Sequence, residues 1–252
     1  MPLRLDSRPV GDVMVVQCSG RIVAGTEVQS LQFLLEKIWS RHHEVVLQLE
    51  HVDFLDSSGL GGLVRMHSTA RANGCDLKLC ALPRHVHHAL EVTNLLSLFK
   101  TYDSEAEAIV AAYMGSRSEE SGKERLSILC VYDSADVRAL LGEVLCRAGY
   151  QAVTTGNVND AKILLKATKA KLVILGENLE SVHGTSTTKA FAGIEPAASV
   201  IVLDSGFGAR DPGEAATKLL EMIRSRTAGQ SASSGISGSE KNVVPETTRK
   251  AI

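Results

Sequence analysis

The residues best suited to chemistry lie in one short run, Asp56-Ser57-Ser58-Gly59-Leu60-Gly61. Two hydroxyls stand beside a carboxylate where an apolar run, Val45 to Leu55, gives way to helical spacing. Such a turn sets the hydroxyls at a helix N-terminus, where unpaired N–H groups and the helix dipole favour added negative charge. The chemistry this suits is acceptance of a phosphoryl group on an exposed Ser. Spacing alone favours a plainer reading, a strand-to-helix cap, because Ser and Asp are both preferred N-caps.

The remaining reactive groups do not assemble into a second site. His85, His87 and His88 have no third or fourth ligand at a placeable position and read as a solvated helix face. The five cysteines, Cys18, Cys75, Cys80, Cys130 and Cys146, are scattered, with no C-x-x-C pair, and read as reduced thiols, four of them within apolar runs. Val131-Tyr132-Asp133-Ser134-Ala135-Asp136 lacks a Gly-rich phosphate cradle. No nucleophile–base pair stands at recognisable spacing, so neither an enzyme nor a bound cofactor or metal is expected.

Composition narrows the class. At 252 residues the chain has room for two ordinary domains. With 44% hydrophobic, 22% charged and 4% aromatic residues it reads as a soluble, aliphatic-rich globular protein. A net charge of −2 and a lone Trp39 argue against direct nucleic-acid binding. No signal-peptide pattern opens the chain and no apolar run reaches a membrane span, so a cytoplasmic protein without membrane insertion is expected.

The elements that must position Ser57 follow from periodicity. Residues 13–18 read as a strand, and Thr26-Glu27-Val28-Gln29 as a capping box with Thr26 as N-cap. Val28, Leu31, Leu34, Leu35 and Ile38 then fall at helical spacing, and Glu44 to Leu49 is a second strand. After the Asp56–Gly59 turn, Leu60, Leu63, Val64, His67 and Ala70 share a helix face that Gly74 ends. Gly61 and Gly62 cost that helix roughly 1 kcal/mol each relative to Ala, which predicts a close neighbour. Leu77 to Ala81 reads as a strand, Pro83 starts a helix, and Ser104-Glu105-Ala106-Glu107 caps another through Tyr113.

A polar stretch at 115–125 reads as a linker, and a second α/β pattern follows over 126–226. Its strands are Ser127–Val131, Tyr150–Thr154, Leu172–Leu175 and Ser199–Leu203. Its helices follow Val137, Asp160 and Gly213. The Ser- and Gly-rich tail, 227–252, reads as disordered.

The first domain, 1–114, resembles the STAS family and within it the anti-sigma-factor antagonists. The resemblance rests on Ser19-Gly20-Arg21-Ile22, Val45 to Asp56, Asp56-Ser57-Ser58-Gly59-Leu60-Gly61, Gly74 to Leu79 and Leu95 to Phe99. It implies that Ser57, directly after Asp56, is phosphorylated by a partner kinase, and that Asp56 to Gly61 form the partner-binding surface. The second domain resembles a response-regulator receiver of flavodoxin-like fold, through Ser127 to Arg138, Leu172 to Leu175 and Val200 to Ser205. The chemistry expected of a receiver is missing: Tyr132-Asp133 holds one carboxylate where two are needed for Mg²⁺, and Gly176 stands where the acceptor Asp belongs. The implied architecture is a STAS-like sheet with flanking helices, then a smaller truncated parallel α/β pseudo-receiver.

These resemblances imply an anti-anti-sigma factor in a partner-switching circuit. Unphosphorylated, it would bind an anti-sigma factor serine kinase. Phosphorylated on Ser57, it would release that kinase until a serine phosphatase of PP2C type resets it. ATP would be bound by the kinase, and the pseudo-receiver would serve docking or homodimerisation. The alternative is a STAS adaptor subunit of another complex, such as a lipid ABC-type transporter.

Overall fold

The computed structural model describes residues 1–117, 126–182 and 185–233, so most of the expected linker and tail lies outside the described residues. The chain begins with strand β1 (Arg4–Val10), paired antiparallel to β2 (Val13–Ile22). It continues through α1 (Thr26–Trp39), β3 (Glu44–Leu55), α2 (Ser57–Ala72), β4 (Asp76–Cys80), α3 (Arg84–Val92), β5 (Lys100–Tyr102) and α4 (Glu105–Arg117). The sheet order is β1-β2-β3-β4-β5, with β2 through β5 mutually parallel. A second sheet follows, built from β6 (Ser127–Val131), β7 (Gln151–Thr155), β8 (Leu172–Gly176) and β11 (Ser199–Leu203). Its helices are α5 (Ala135–Arg147), α6 (Val158–Thr168) and α7 (Thr187–Ile194), and a short pair, β9 (Ser181–Val182) and β10 (Thr185–Ser186), precedes α7. The order β11-β8-β6-β7 is parallel throughout. The expected α/β class therefore holds, as one mixed and one all-parallel sheet with flanking helices.

Local corrections have physical reasons. β1 is an exposed edge strand with little apolar signal, and an edge tolerates Pro9, which has no N–H to give a ladder. Thr26 is not the N-cap of α1: Gly25 holds that place, and the Thr26 hydroxyl donates to Glu27 Oε2 at 2.9 Å. Ser104 does cap α4, its Oγ accepting from the Glu107 N–H at 3.2 Å. Gly74, at φ 69°, ends the α2 segment in the left-handed conformation expected of it.

Strand alternation divides the first sheet between two cores. Val16, Cys18, Val45, Leu47, Leu49, Leu77 and Leu79 face α1, α2 and α3. Val13, Val15, Val46 and Cys80 face the other way, onto Ala108, Ile109, Ala112 and Tyr113 of α4. The same cluster runs on into Val158, Ala161, Leu164 and Leu165 of α6 and into Leu129, Val131, Val153, Val173 and Leu175 of the second sheet. One helix, α4, thus shares a single core with both sheets. Arg8 of β1 ties the layers together, bonding Glu105 of α4 and Asp160 of α6, whose carboxylate is buried. The Tyr113 hydroxyl accepts from the Asp12 N–H at 2.8 Å in the β1–β2 turn. Under the far end of α4, Lys78 is buried and its ammonium is held by Glu44 and Asp76.

Compact units divide at Met1–Arg210 and Asp211–Ile252. In the second unit α8 (Pro212–Ser233) starts from Asp211, whose Oδ1 accepts from the Gly213 N–H at 2.9 Å, with Pro212 at the first helical position where its missing N–H costs nothing. Its backbone stays helical beyond Arg226, where the periodicity reading ended it.

Removing Arg8 leaves Asp160 buried without its bonded cation. Arg8→Ala is expected to lower stability by about 1–3 kcal/mol, read from the urea midpoint of the full chain. An unmoved midpoint would show that the clasp contributes no net energy.

Candidate functional site

The site is built where β2, β3 and α2 meet. β3 runs past the end of β4 and stays paired only with β2, Arg21 opposite Phe54 and Ile22 opposite Leu55. The Asp56 N–H then donates to the Ile22 carbonyl at 3.3 Å, and α2 begins at Ser57. Asp56 is the N-cap: its backbone is extended, and its Oδ1 accepts from the Gly59 N–H at 2.6 Å. Its Oδ2 accepts from the Ala24 N–H at 3.3 Å, which ties the β2–α1 loop to the start of α2. The Gly59 bond, with help from the Ala24 and Ser58 N–H groups and the Arg21 charge, holds the Asp56 carboxyl below its ordinary value, against the opposing effect of desolvation.

Ser57 and Ser58 are exposed on the first turn, whereas Gly59 and Leu60 are buried beneath them. Gly59 is steric in purpose: a Cβ there would lie 2.1 Å from the Ile22 carbonyl oxygen. Gly62 has the close neighbour its sequence position predicts, since a Cβ would meet Val28 Cγ1 of α1 at 2.7 Å. Gly61 does not; its nearest neighbour is Arg65 Nη1 at 3.6 Å, so the expectation of a close approach at Gly61 is corrected. Beside the turn, the Arg21 guanidinium lies over the ring of Phe54, 5.2 Å from its centroid, and Phe54 is 46% exposed. That cation–aromatic pair was not visible in the sequence, because the bulged β2–β3 register that brings its members together is a tertiary fact.

The far end of the apolar stripe anchors α2. His67 is buried edge-on to Phe99, ring centroids 5.1 Å apart. Its Nδ1 has no partner among the described residues, and burial, then the Arg71 charge, hold its pKa below the ordinary 6.5. His85, His87 and His88 are exposed on α3, with His88 Nδ1 3.7 Å from Glu91 Oε2. Cys18, Cys75, Cys80 and Cys130 are buried thiols and Cys146 is exposed; burial pushes Cys18 and Cys80 up to about 12.

In the second sheet, the groups after β6, β8 and β11 are engaged with one another. A Cβ on Gly176 would lie 2.9 Å from Tyr132 Cδ2, so the Tyr132 ring fills the space beside that residue. Glu177 Oε2 accepts from the Ser205 N–H at 2.9 Å, Asp133 Oδ2 accepts from Asn178 at 3.4 Å, and Asp204 pairs with Arg210 at 2.7 Å. No helix among the described residues is long and apolar enough to cross a membrane.

With this geometry in view, residues 4–108 match the family model of the STAS domain, and the mixed sheet they form is of STAS type. Known proteins are similar over the same part of the chain. An anti-sigma F factor antagonist of Paenibacillus polymyxa is 28% identical over 43% of this chain and 94% of its own length. BtrV of Bordetella bronchiseptica, described as an anti-sigma factor antagonist, is 29% identical over 40% of this chain and 88% of its own. A crystal structure of an anti-sigma factor antagonist from Mycobacterium paratuberculosis is 22% identical, with a TM-score of 0.40, over 44% of this chain and 93% of that one.

Two measurements follow from this geometry. Gly59→Ala should cost about 1–3 kcal/mol, because its methyl must displace a carbonyl oxygen, whereas Gly61→Ala should raise thermal stability by about 0.5–1 kcal/mol through helix propensity. Similar melting shifts for both would remove the steric role assigned to Gly59. Separately, below pH 6.5 the unfolded chain takes up a proton at His67 that the folded chain resists, so stability should fall as pH drops through 6.5. His67→Gln should flatten that part of the stability profile; an unchanged slope would assign it to other groups.

Proposed function

We propose that this protein is an anti-sigma factor antagonist that works by partner switching at Ser57. The observation that carries the reading is an exposed Ser57 hydroxyl on the first turn of α2, directly after a carboxylate that caps the helix with one oxygen and holds the β2–α1 loop with the other. A hydroxyl on so firmly held a turn can be offered to another protein's active site without local unfolding, and the named relatives support the same role. Asp56, Ser57, Ser58, Gly59, Leu60 and Gly61 form the partner-binding stretch in this reading. The exposed members make contact, and the buried glycine and leucine hold the turn in place.

The partner is an anti-sigma factor that is also a serine kinase and holds the ATP. Ser57 Oγ attacks the γ-phosphorus, the bond to the β-phosphate oxygen breaks, ADP leaves, and the hydroxyl proton passes to a base on the kinase. A phosphatase of PP2C type reverses the mark: water attacks phosphorus and releases inorganic phosphate with the Ser57 hydroxyl restored. Phosphoserine brings roughly −1.5 to −2 charge, and a partner surface fitted to a neutral hydroxyl must desolvate it. Each 1.4 kcal/mol lost weakens binding about tenfold, so a few kcal/mol releases the partner.

The same proposal covers the rest of the chain. Residues 1–114 are the STAS domain, 115–125 a linker, 126–226 a pseudo-receiver used for docking or homodimerisation, and 227–252 a tail. The strand order β7-β6-β8-β11 supports a doubly wound receiver-like arrangement. The Tyr132 ring beside Gly176 supports the view that this sheet accepts no phosphate.

The deciding experiment incubates the protein with a cognate kinase and ATP and reads the product by mass spectrometry. One phosphate is expected, on Ser57, with none on Ser57→Ala, and modification persisting in Ser57→Ala would sink the assignment. Recovery of a transporter ATPase in place of a kinase in pulldowns would favour the adaptor reading.

A further inference from the structure

A phosphate on Ser57 would arrive at a helix N-terminus whose Gly59 donor is already taken. The Gly59 N–H, a first-turn donor that would ordinarily receive an anion, is bound at 2.6 Å by Asp56 Oδ1. The Asp56 N–H is spent on the Ile22 carbonyl, and the Leu60 N–H on the first helical bond, to the Asp56 carbonyl at 2.9 Å. The neighbouring loop offers little more, because the Ala24 N–H is held by Asp56 Oδ2. The site therefore carries its own fixed anion where an incoming one would bind, and a like charge alongside disfavours a second anion there.

Resting on the reading of Ser57 as the modified residue, we infer that Asp56 is a positioning residue that shuts a Ser57 phosphate out of the α2 N-terminus and turns it to solvent. At the ends of the elements that meet here, the charged side chains nearest the turn in sequence are Arg21 from β2, Glu27 from the start of α1, Asp53 from β3, and Asp56 with Arg65 around the start of α2; farther along lie Glu44 and Glu50 of β3, Glu36 and Lys37 of α1, and Arg71 of α2. Arg21 is the cation whose field reaches Asp56, and it lies over Phe54. The dianion thus meets a turn whose Gly59 N–H is already spent and faces a carboxylate at the adjacent residue. Two consequences follow. The mark is displayed to whichever partner or phosphatase reads it. The Asp56 cap on the Gly59 N–H stays in place when Ser57 is modified.

The test installs phosphoserine at position 57 of the full chain by genetic encoding, so that it does not depend on any kinase. Phosphorus NMR then follows the second ionisation of the phosphate, with a phosphoserine peptide of residues 54–60 as reference, near 6. A midpoint above the peptide's is expected. Asp56→Asn keeps a capping oxygen but removes the charge, and should bring the midpoint down by about half a unit or more. A wild-type midpoint at or below the peptide's, or one that Asp56→Asn fails to lower, overturns the inference. If Asp56→Asn does not fold, the amide resonances of Gly59 and Ala24 decide. They should stay in place when Ser57 is phosphorylated, and downfield movement would mean the phosphate has captured them. Failure of a kinase to modify Ser57 would sink the switching proposal while leaving this result readable, and the reverse also holds.

Discussion

The contact on which the site depends is the approach of α2 to the end of β2. The Ile22 carbonyl receives the Asp56 N–H at 3.3 Å, and Gly59 passes so near it that no Cβ fits. The geometry of the Ser57 turn is set by that approach. It fixes where the helix begins, which hydroxyls face outward, and why Asp56 can hold the Gly59 and Ala24 N–H groups together. Energetically the terms are modest one by one, about 1 kcal/mol for a cap and a similar amount for a net hydrogen bond. Their effect is geometric: they allow one arrangement of the turn and crowd out its neighbours.

Much of this was legible in the sequence, for identifiable reasons. The second strand, the α2 stripe and the Asp-Ser-Ser-Gly turn show because their periods are clean and their faces one-sided. The β6 and β8 strands show because both faces are buried, giving short continuous apolar runs, and β11 shows through its β-branched run although Val202 is exposed. β1, β5 and α7 do not show: the first is an exposed edge, the second has three residues, and the third is a short helix of mixed polarity.

Register and donor accounting were beyond the sequence. Nothing in the order of residues says that Arg21 lies beside Phe54, that Gly62 presses on Val28 while Gly61 meets only the end of the Arg65 side chain, or that Tyr132 fills the space beside Gly176. The helix N-terminus was expected to welcome a phosphate with roughly 0.3–1 kcal/mol of stabilisation. That expectation leaves out the Asp56 carboxylate, which already holds the Gly59 N–H at 2.6 Å.

The core shared by α4 has a consequence for synthesis. α4 is complete at Arg117, but α6, which covers its outer side, ends at Thr168. A ribosome must therefore add some 50 further residues, about 3–10 s at about 5–20 residues per second, before that side is sheltered. During that interval the nascent chain presents Ala108, Ile109, Ala112 and Tyr113 clothed on one side only. The first sheet is thus born with an unfinished back, and its maturation waits on the translation of a segment that touches no part of the Ser57 turn.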